Sequence, residues 1–242
     1  MTGAAAARSP ETGRARREEV AARILDWAVA LAVAGVLVQT AVNLVNLWAF
    51  DRRFEVLQAD SDAGAFAWAS IAATFAAALG ALLLSLVWAE RRRLLWLVAA
   101  GCAFLSFDDH MRIHERLGDL ADRAEGLAAW EPARLLWPVV FFPLLAGLFL
   151  ALWWLARDLP PPRAGRYVRT GLALLAVAVA LEVVSAGLIR AGHDRGSGLY
   201  ELEVLLEEGA ELAGWILIAG ALLAAFALDA RPEPARMRTE GG

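Results

Sequence analysis

The chain has 242 residues, of which 59% are hydrophobic, and its formal net charge is -4 at neutral pH. Soluble domains are typically about 45 to 50% apolar, so this composition predicts a membrane-embedded protein. The basic residues are spread over short loops, which excludes a nucleic-acid partner, and the single cysteine excludes an intrachain disulfide. All 23 basic residues are arginine, which excludes chemistry through a lysine Schiff base.

The sequence divides into a charged N-terminal segment, a hydrophobic central region and a short C-terminal segment. We expect residues 1–23 and 230–242 to be disordered cytoplasmic tails, the first because it is charged and rich in alanine and glycine. Residues 24–229 contain six apolar segments, each long enough to cross about 30 Å of hydrocarbon as a helix. They are Leu25–Phe50, Ala63–Ala89, Leu94–Glu115, Leu135–Ala156, Val168–Ile189 and Leu199–Leu228. The predicted fold is therefore all-α, a polytopic membrane bundle of six transmembrane helices.

Arginines in the short loops predict the orientation, because basic residues concentrate on the cytoplasmic side of a membrane. They are dense before the first helix, between the second and third, between the fourth and fifth, and after the sixth. The alternate loops have fewer arginines, which acidic residues offset. Both termini are therefore predicted to be cytoplasmic. The exclusive use of arginine is typical of a GC-rich bacterial genome, so the predicted location is the bacterial cytoplasmic (inner) membrane.

Acidic residues occur within three of these segments, where an isolated charge costs roughly 2.5 to 3.5 kcal/mol. With a rise of about 1.5 Å per residue, Asp108 and Glu182 both lie about 21 Å from the inner face. The last segment runs inward, which places Glu207, Glu208 and Glu211 at a similar depth. If the helices are adjacent, these side chains form one acidic site in the outer half of the membrane.

The residue types in this site indicate a divalent metal. Carboxylate and imidazole ligands suit Zn, Mn or Fe, and helix bundles build metal sites from inward-facing acids and histidines. The predicted metal ligands are Asp108, His114, Glu207, Glu208 and Glu211. The predicted catalytic residues are Glu182 and Glu115, with Ser106, Asp109, His110 and Arg112 in supporting positions.

Other polar residues have simpler interpretations. Asp109 and Arg112 also fit a surface ion pair where the third helix leaves the membrane. Glu201 and Glu203 are interpreted as interfacial and solvated. A polar group on the first helix fits either hydrogen bonding between helices or a polar wall; its members are Gln39, Asn43 and Asn46.

One stretch of the third segment resembles a signature of bacterial multi-pass membrane proteins of uncharacterised function. That signature is Ser-x-Asp-Glu, four residues, then His-Glu, with further glutamates in a late helix; here the stretch is Ser106-Phe107-Asp108-Asp109, then His114-Glu115. The chain has aspartate at 109 where glutamate is usual. The resemblance implies that Ser106, Asp108, His114 and Glu115 belong together. The chain is more distantly similar to membrane hydrolases of the alkaline ceramidase type, a similarity that implies intramembrane zinc.

Three functions fit these patterns. The first is a divalent-metal-dependent enzyme, hydrolase-like, that acts on a lipid or lipid-linked substrate entering from the bilayer. The second is a proton- or cation-coupled transporter or channel, because intramembrane carboxylates also serve as proton relays. The third is a structural or regulatory membrane subunit whose acids pair with nearby arginines. We rank the metal-dependent enzyme first.

Overall fold

The structure, a computed structural model, describes residues 10–59, 61, 64–113, 116, 133–193 and 197–229. Over these ranges the chain contains helices and turns but no strand. Within these ranges six helices are long and apolar enough to cross a membrane, which confirms the predicted all-α fold and agrees with a multi-pass membrane protein. The long helices are α1 (Pro10–Phe50), α2 (Ala65–Val87), α3 (Arg92–Met111), α4 (Ala133–Asp158), α5 (Pro162–Arg190) and α6 (Gly198–Asp229), with short 3-10 turns at Glu55–Leu57 and Ala89–Arg91.

The first helix begins at Pro10, well before the predicted membrane segment. Residues 10–23, which the sequence assigned to a disordered tail, are therefore helical. Two ion pairs spaced one turn apart support this extension: Arg14 with Glu18 at 2.9 Å, and Arg23 with Glu19 at 2.6 Å. Such pairs stabilise a helix by about 0.2 to 0.5 kcal/mol each. Hydropathy measures only apolar length, so it does not detect a helix that continues as charged turns.

The helices form a ring with one helix outside it. In the described part of the chain, α6 packs along α5 and α2, α2 packs along α3, and α4 packs along α3 and α5. Each of these five helices therefore contacts two others, which closes the ring. α1 lies outside the ring and packs mainly along α6. Because α6 has neighbours on both sides of the ring and behind it, it is the most deeply buried of the six.

Small residues set how closely α6 approaches its neighbours. A Cβ atom added at Gly171 of α5 would lie 2.6 Å from the carbonyl oxygen of Gly214, and one added at Gly220 would lie 2.4 Å from the Cβ of Ala28. On the α2 side, a Cβ at Gly80 would lie 3.0 Å from the Cβ of Leu222. Close backbone approach of this kind drives helix association in membranes, where water does not favour apolar contact.

The two halves of the bundle differ in polarity. We name the end formed by the turns at 88–93 and 158–163 the basic end, and the opposite end, with residues 51–64 and the start of α6, the loop end. In the basic half the largest fully buried side chains are apolar, among them Leu84, Leu155 and Leu222. In the loop half the largest fully buried side chains are Gln39 and Asn46. The described buried polar side chains all lie in the loop half except Ser85, which donates a hydrogen bond to the carbonyl of Leu82.

The outer surface of the bundle is apolar over most of its height. Leu97, Trp68, Phe142 and Leu37 are each more than half exposed. A soluble protein does not expose so many large apolar side chains on all sides, whereas a bilayer solvates them. The surface therefore supports the assignment of the six helices to a membrane.

We expect Gly171→Ala to destabilise the protein by about 1 to 3 kcal/mol, the usual cost of overpacking a close contact. The reason is that the added methyl group meets the backbone of α6. Gly187→Ala is the matched control on the same helix, because a Cβ there meets nothing within 4 Å. Thermal unfolding of the detergent-purified variants, followed by tryptophan fluorescence, measures both. Equal melting temperatures for the two variants would contradict the close α5–α6 contact.

Candidate functional site

A pair of carboxyl groups joins α5 to α6 in the loop half. The two helices are antiparallel, and the contact between Leu175 and Gly214 fixes their register. Seven residues further toward the loop end on each helix, this register brings Glu182 beside Glu207. The two side chains hydrogen-bond to each other. The shared depth predicted for these residues from helical rise is confirmed, and the structure adds that their helices are neighbours.

A direct hydrogen bond between two carboxyl groups requires a proton on one of them. An ionised carboxylate has acceptors only, so two carboxyl groups can bond directly only when one of them carries a proton. Glu203 and Glu208 are close enough to Glu207 to act on it electrostatically. Glu203, one turn away, is only 5% exposed. The pair therefore lies in a locally negative, partly buried surrounding.

The glutamates of α6 face different neighbours. At about 100° per residue, Glu207 faces α5, and Glu208 points about a quarter-turn away, on the side where Leu222 meets Gly80 of α2. Glu211 lies between these directions, toward the interior of the ring. All three are partly buried. The predicted metal ligands on α6 are thus spread over an arc of the helix instead of converging on one point.

The third helix contributes a buried acid on the far side of the ring. Asp108 is 3% exposed and Ser106 is 6% exposed, and the Ser106 hydroxyl donates a 3.0 Å hydrogen bond to the carbonyl of Ile71 on α2. The neighbours of α3 in the ring are α2 and α4. Asp108 therefore lies across the ring from the Glu182–Glu207 pair.

The end of α3 differs from the prediction. The helix stops at Met111 and not at Glu115, because Arg112 adopts a left-handed conformation with φ of 55° and its N–H bonds the carbonyl of Asp108. Asp109 is partly buried, whereas His110 and Arg112 are exposed. The predicted ligand His114 and the predicted catalytic residue Glu115 lie outside the described residues.

Metal binding can be examined only for the described donors. Among them, no group of three or more histidine, cysteine, aspartate or glutamate side chains is arranged to hold a metal ion. The predicted metal ligand His114 and the predicted catalytic residue Glu115 are not part of that set. The metal therefore stays a prediction, and no metal-dependent chemistry is assigned to the described residues.

A folded loop covers the loop end of α1 and α6. Asn46 binds the backbone of Phe54 twice, donating to its carbonyl at 2.9 Å and accepting from its N–H at 3.2 Å. The Asn43 side chain accepts a 2.9 Å hydrogen bond from the N–H of Ala59. The turn that starts the loop has positive φ at Asp51 and Arg52, 49° and 58°, a conformation uncommon outside glycine. Of the two interpretations left open for these asparagines, hydrogen bonding is therefore the one they fulfil: Asn46 bonds to the loop, and Asn43 bonds to the loop and to Glu201 of α6.

The same loop is tied to α6 through Glu201. Arg52 forms a 2.7 Å ion pair with Glu201, and the Asn43 amide donates to the other carboxylate oxygen at 3.4 Å. Ala59 packs with Tyr200 and Val204 in a small apolar cluster. The interpretation of Glu201 and Glu203 as solvated residues is therefore wrong. Both lie near the start of α6, where exposure was expected, but the loop covers that start.

A small cavity lies within this polar region. It has a volume of about 20 Å³, enough for about one water molecule. Arg52 and Gln58, which line it, were not singled out from the sequence, since their roles depend on how the loop folds. The lining residues are Asn43, Asn46, Leu47, Arg52, Gln58 and Glu201.

Comparison with known proteins gives a family but no named relative. No curated protein and no solved structure matches the chain. The family model described as Domain of unknown function (DUF8692) matches residues 28–226, a range that includes both members of the Glu182–Glu207 pair. The chain therefore belongs to this family of unknown function.

Proposed function

We propose that this protein is a membrane-embedded enzyme of hydrolase type that performs acid–base chemistry on a lipid or lipid-linked substrate. The observation that carries the proposal is the direct hydrogen bond between Glu182 and Glu207. With one shared proton, the pair offers a general base and a general acid side by side. The carboxylate takes a proton from attacking water, and the carboxylic acid protonates the leaving group of the substrate.

The position of the pair supports a substrate that arrives through the bilayer. Glu182 is only partly buried, and it lies on a helix that leaves most of its apolar surface exposed. Val179 and Val183 flank it and are 42% and 49% exposed. A lipid next to α5 is therefore within a side-chain length of the pair. A substrate dissolved in water would have to pass beneath the loop at the loop end.

The polarity of the bundle supports chemistry at one end over transport across the membrane. A transporter needs polar groups along a route to both sides. Leu95, Leu155 and Leu222 fill the basic half and are at most 1% exposed. Ser85, the buried polar residue described there, bonds to its own helix. These side chains favour a site that opens toward the loop end and the lipid.

We expect Glu182→Gln and Glu207→Gln each to lower activity by about 100-fold or more, the usual contribution of a positioned acid or base. The assay incubates the protein in liposomes of bacterial lipid extract made up in ¹⁸O-labelled water. Hydrolysis transfers an oxygen atom from water to one product, so mass spectrometry detects a labelled product whichever lipid is cleaved. Glu90→Gln, an exposed carboxyl at the basic end, is the control and should keep full activity.

Two results would contradict the proposal. One is the absence of labelled product with the wild-type protein; the other is an equal yield from wild type and both pair variants. Melting temperatures separate the structural alternative from the catalytic one. Removing one partner of a buried pair that only holds the fold together costs stability, whereas a catalytic pair loses activity in a protein that remains folded.

A divalent metal (Zn, Mn or Fe) forms the second part of the proposal, with Asp108 and His114 as ligands. The residue types support it, because carboxylate and imidazole ligands suit these metals. We expect near-stoichiometric metal by elemental analysis of protein purified without chelators, and its loss in folded Asp108→Asn and His114→Ala. If the wild-type protein holds no metal even after Zn, Mn or Fe is added, the pair must act without one.

We also propose that both termini are cytoplasmic, in the inner membrane of a bacterium, on the basis of the arginines at the basic end. Single cysteines introduced at His193 and at Glu90, both exposed, test this orientation. The native Cys102 is fully buried and gives little background. A membrane-impermeant maleimide added to intact cells, with the outer membrane permeabilised where one is present, should label His193→Cys and spare Glu90→Cys. The reverse pattern would contradict the orientation.

A further inference from the structure

The seam between α1 and α6 changes character along its length. In the basic half it consists of small and apolar residues, with Ala28 against Gly220 and Gly35 against Leu212. In the loop half α1 presents a polar stripe whose members are spaced four and three residues apart and are at most 5% exposed: Gln39, Asn43 and Asn46. Because α6 is the main neighbour of α1, this stripe lies along the seam.

Gln39 is the member of the stripe nearest the level of the Glu182–Glu207 pair. Val36 meets Gly209 on one side of it, and Asn43 bonds Glu201 on the other. Gln39 lies between these two contacts, which places it at the level of Leu205, with Glu208 less than one turn further toward the basic end. It is 1% exposed, and neither its amide nitrogen nor its amide oxygen has a hydrogen-bond partner within the described part of the chain.

Such a side chain requires an occupant that donates and accepts hydrogen bonds. Buried polar atoms in native proteins bond either to protein or to ordered water, and one or two water molecules satisfy both ends of an amide. The hydroxyl of Ser70 on α2 is likewise buried and without a partner among the described residues. Gly80, ten residues further along α2, contacts Leu222 of α6, so the register of the two helices puts Ser70 near the level of Glu211.

The cavity at the loop end connects with this stripe. Asn43 lines the cavity and precedes Asn46 by one turn, while Gln39 lies one turn deeper. The distance along α1 from Asn46 to Gln39 is about 10 Å, which a chain of about three or four water molecules spans. The cavity therefore lies at the outer end of the stripe. Gln39 is the next side chain along the stripe that can form hydrogen bonds.

We propose that the α1–α6 seam is a hydrated path that delivers water and protons from the loop end to the carboxyl cluster. The route runs from the cavity past Asn43 and Gln39 to Glu208, which interacts with Glu207. The inference rests on the proposed function, because it supplies that reaction with its water and exchanges the proton of the pair. The charged groups along the route are Arg52 and Glu201 at its entrance and Glu208 at its inner end. Glu203, Glu207 and Glu211 of α6 and Glu182 of α5 lie beyond it.

Infrared spectroscopy tests the path directly. A protonated carboxyl group has a carbonyl band that shifts when its proton is replaced by deuterium, and loss of the band in Glu182→Gln or Glu207→Gln assigns it to the pair. After transfer of wild-type protein in liposomes to deuterated water, the rate of the shift measures how fast the proton exchanges. We expect Gln39→Leu to slow this exchange about tenfold, the rate equivalent of one lost hydrogen-bonded link.

Two controls separate a path from a structural role. Gln39→Asn keeps the amide and should restore most of the exchange rate, and Thr40→Val changes the neighbouring residue of α1 outside the stripe and should leave the rate unchanged. Gln39→Leu should melt no lower than wild type, since it removes a buried amide that has no protein partner among the described residues. Lower stability of Gln39→Leu with no rescue by asparagine would overturn the proposal.

The exchange rate and the yield of labelled product test the path and the proposed enzyme separately. Equal exchange rates in wild type and Gln39→Leu overturn the path even if ¹⁸O-labelled products depend on Glu182. The absence of a protonated carboxyl band also overturns it, because the path would then have no proton to deliver. Conversely, exchange that depends on Gln39 in a protein that forms no labelled product supports the path and rejects the enzyme.

Discussion

The close approach of α5 and α6 at Gly171 and Gly214 is the contact on which the rest of the structure depends. Because neither residue has a side chain, the backbones meet, and the register of the two antiparallel helices cannot slip without a collision with Ile218. That register alone places Glu182 beside Glu207. α2 and α1 then pack on the remaining sides of α6, again at small residues, and the ring closes through α3 and α4.

The buried side chains on the two sides of this contact differ in polarity. On the basic side of it, leucine, valine and alanine fill the interior of the described bundle. On the loop side, carboxyl, amide and hydroxyl groups are buried at nearly every level. A polar group in hydrocarbon is retained only when a partner, a proton or water offsets its desolvation. The concentration of such groups in one half is therefore the basis for the chemistry proposed there.

The fold could be predicted from the sequence because apolar length alone defines most spans. The level of Glu182 and Glu207 followed from the rise of a helix, but their contact did not, since many glycines could have formed the close approach. Glu203 was misjudged because the loop that covers it folds through contacts distant in sequence. The sequence contained a usable signal for the asparagines of α1, because their spacing places them on one helix face. It contained none for Arg52, because the position of Arg52 depends on a left-handed turn that its residue type does not favour.

The length of α1 has a mechanical consequence. From Pro10 to Phe50 it is one uninterrupted helix of 41 residues, about 61 Å long, roughly twice the thickness of the hydrocarbon it crosses. Asn43 and Asn46 bond the loop to its far end, so the loop and the charged arm are attached to the same helix. A tilt imposed on the charged arm that projects at the basic end would therefore displace Arg52 against Glu201 on the other side of the bundle. One continuous helix thus connects the charged arm at the basic end with the Arg52–Glu201 ion pair at the loop end, and it contacts α6 between them at Ala28 and Gly220.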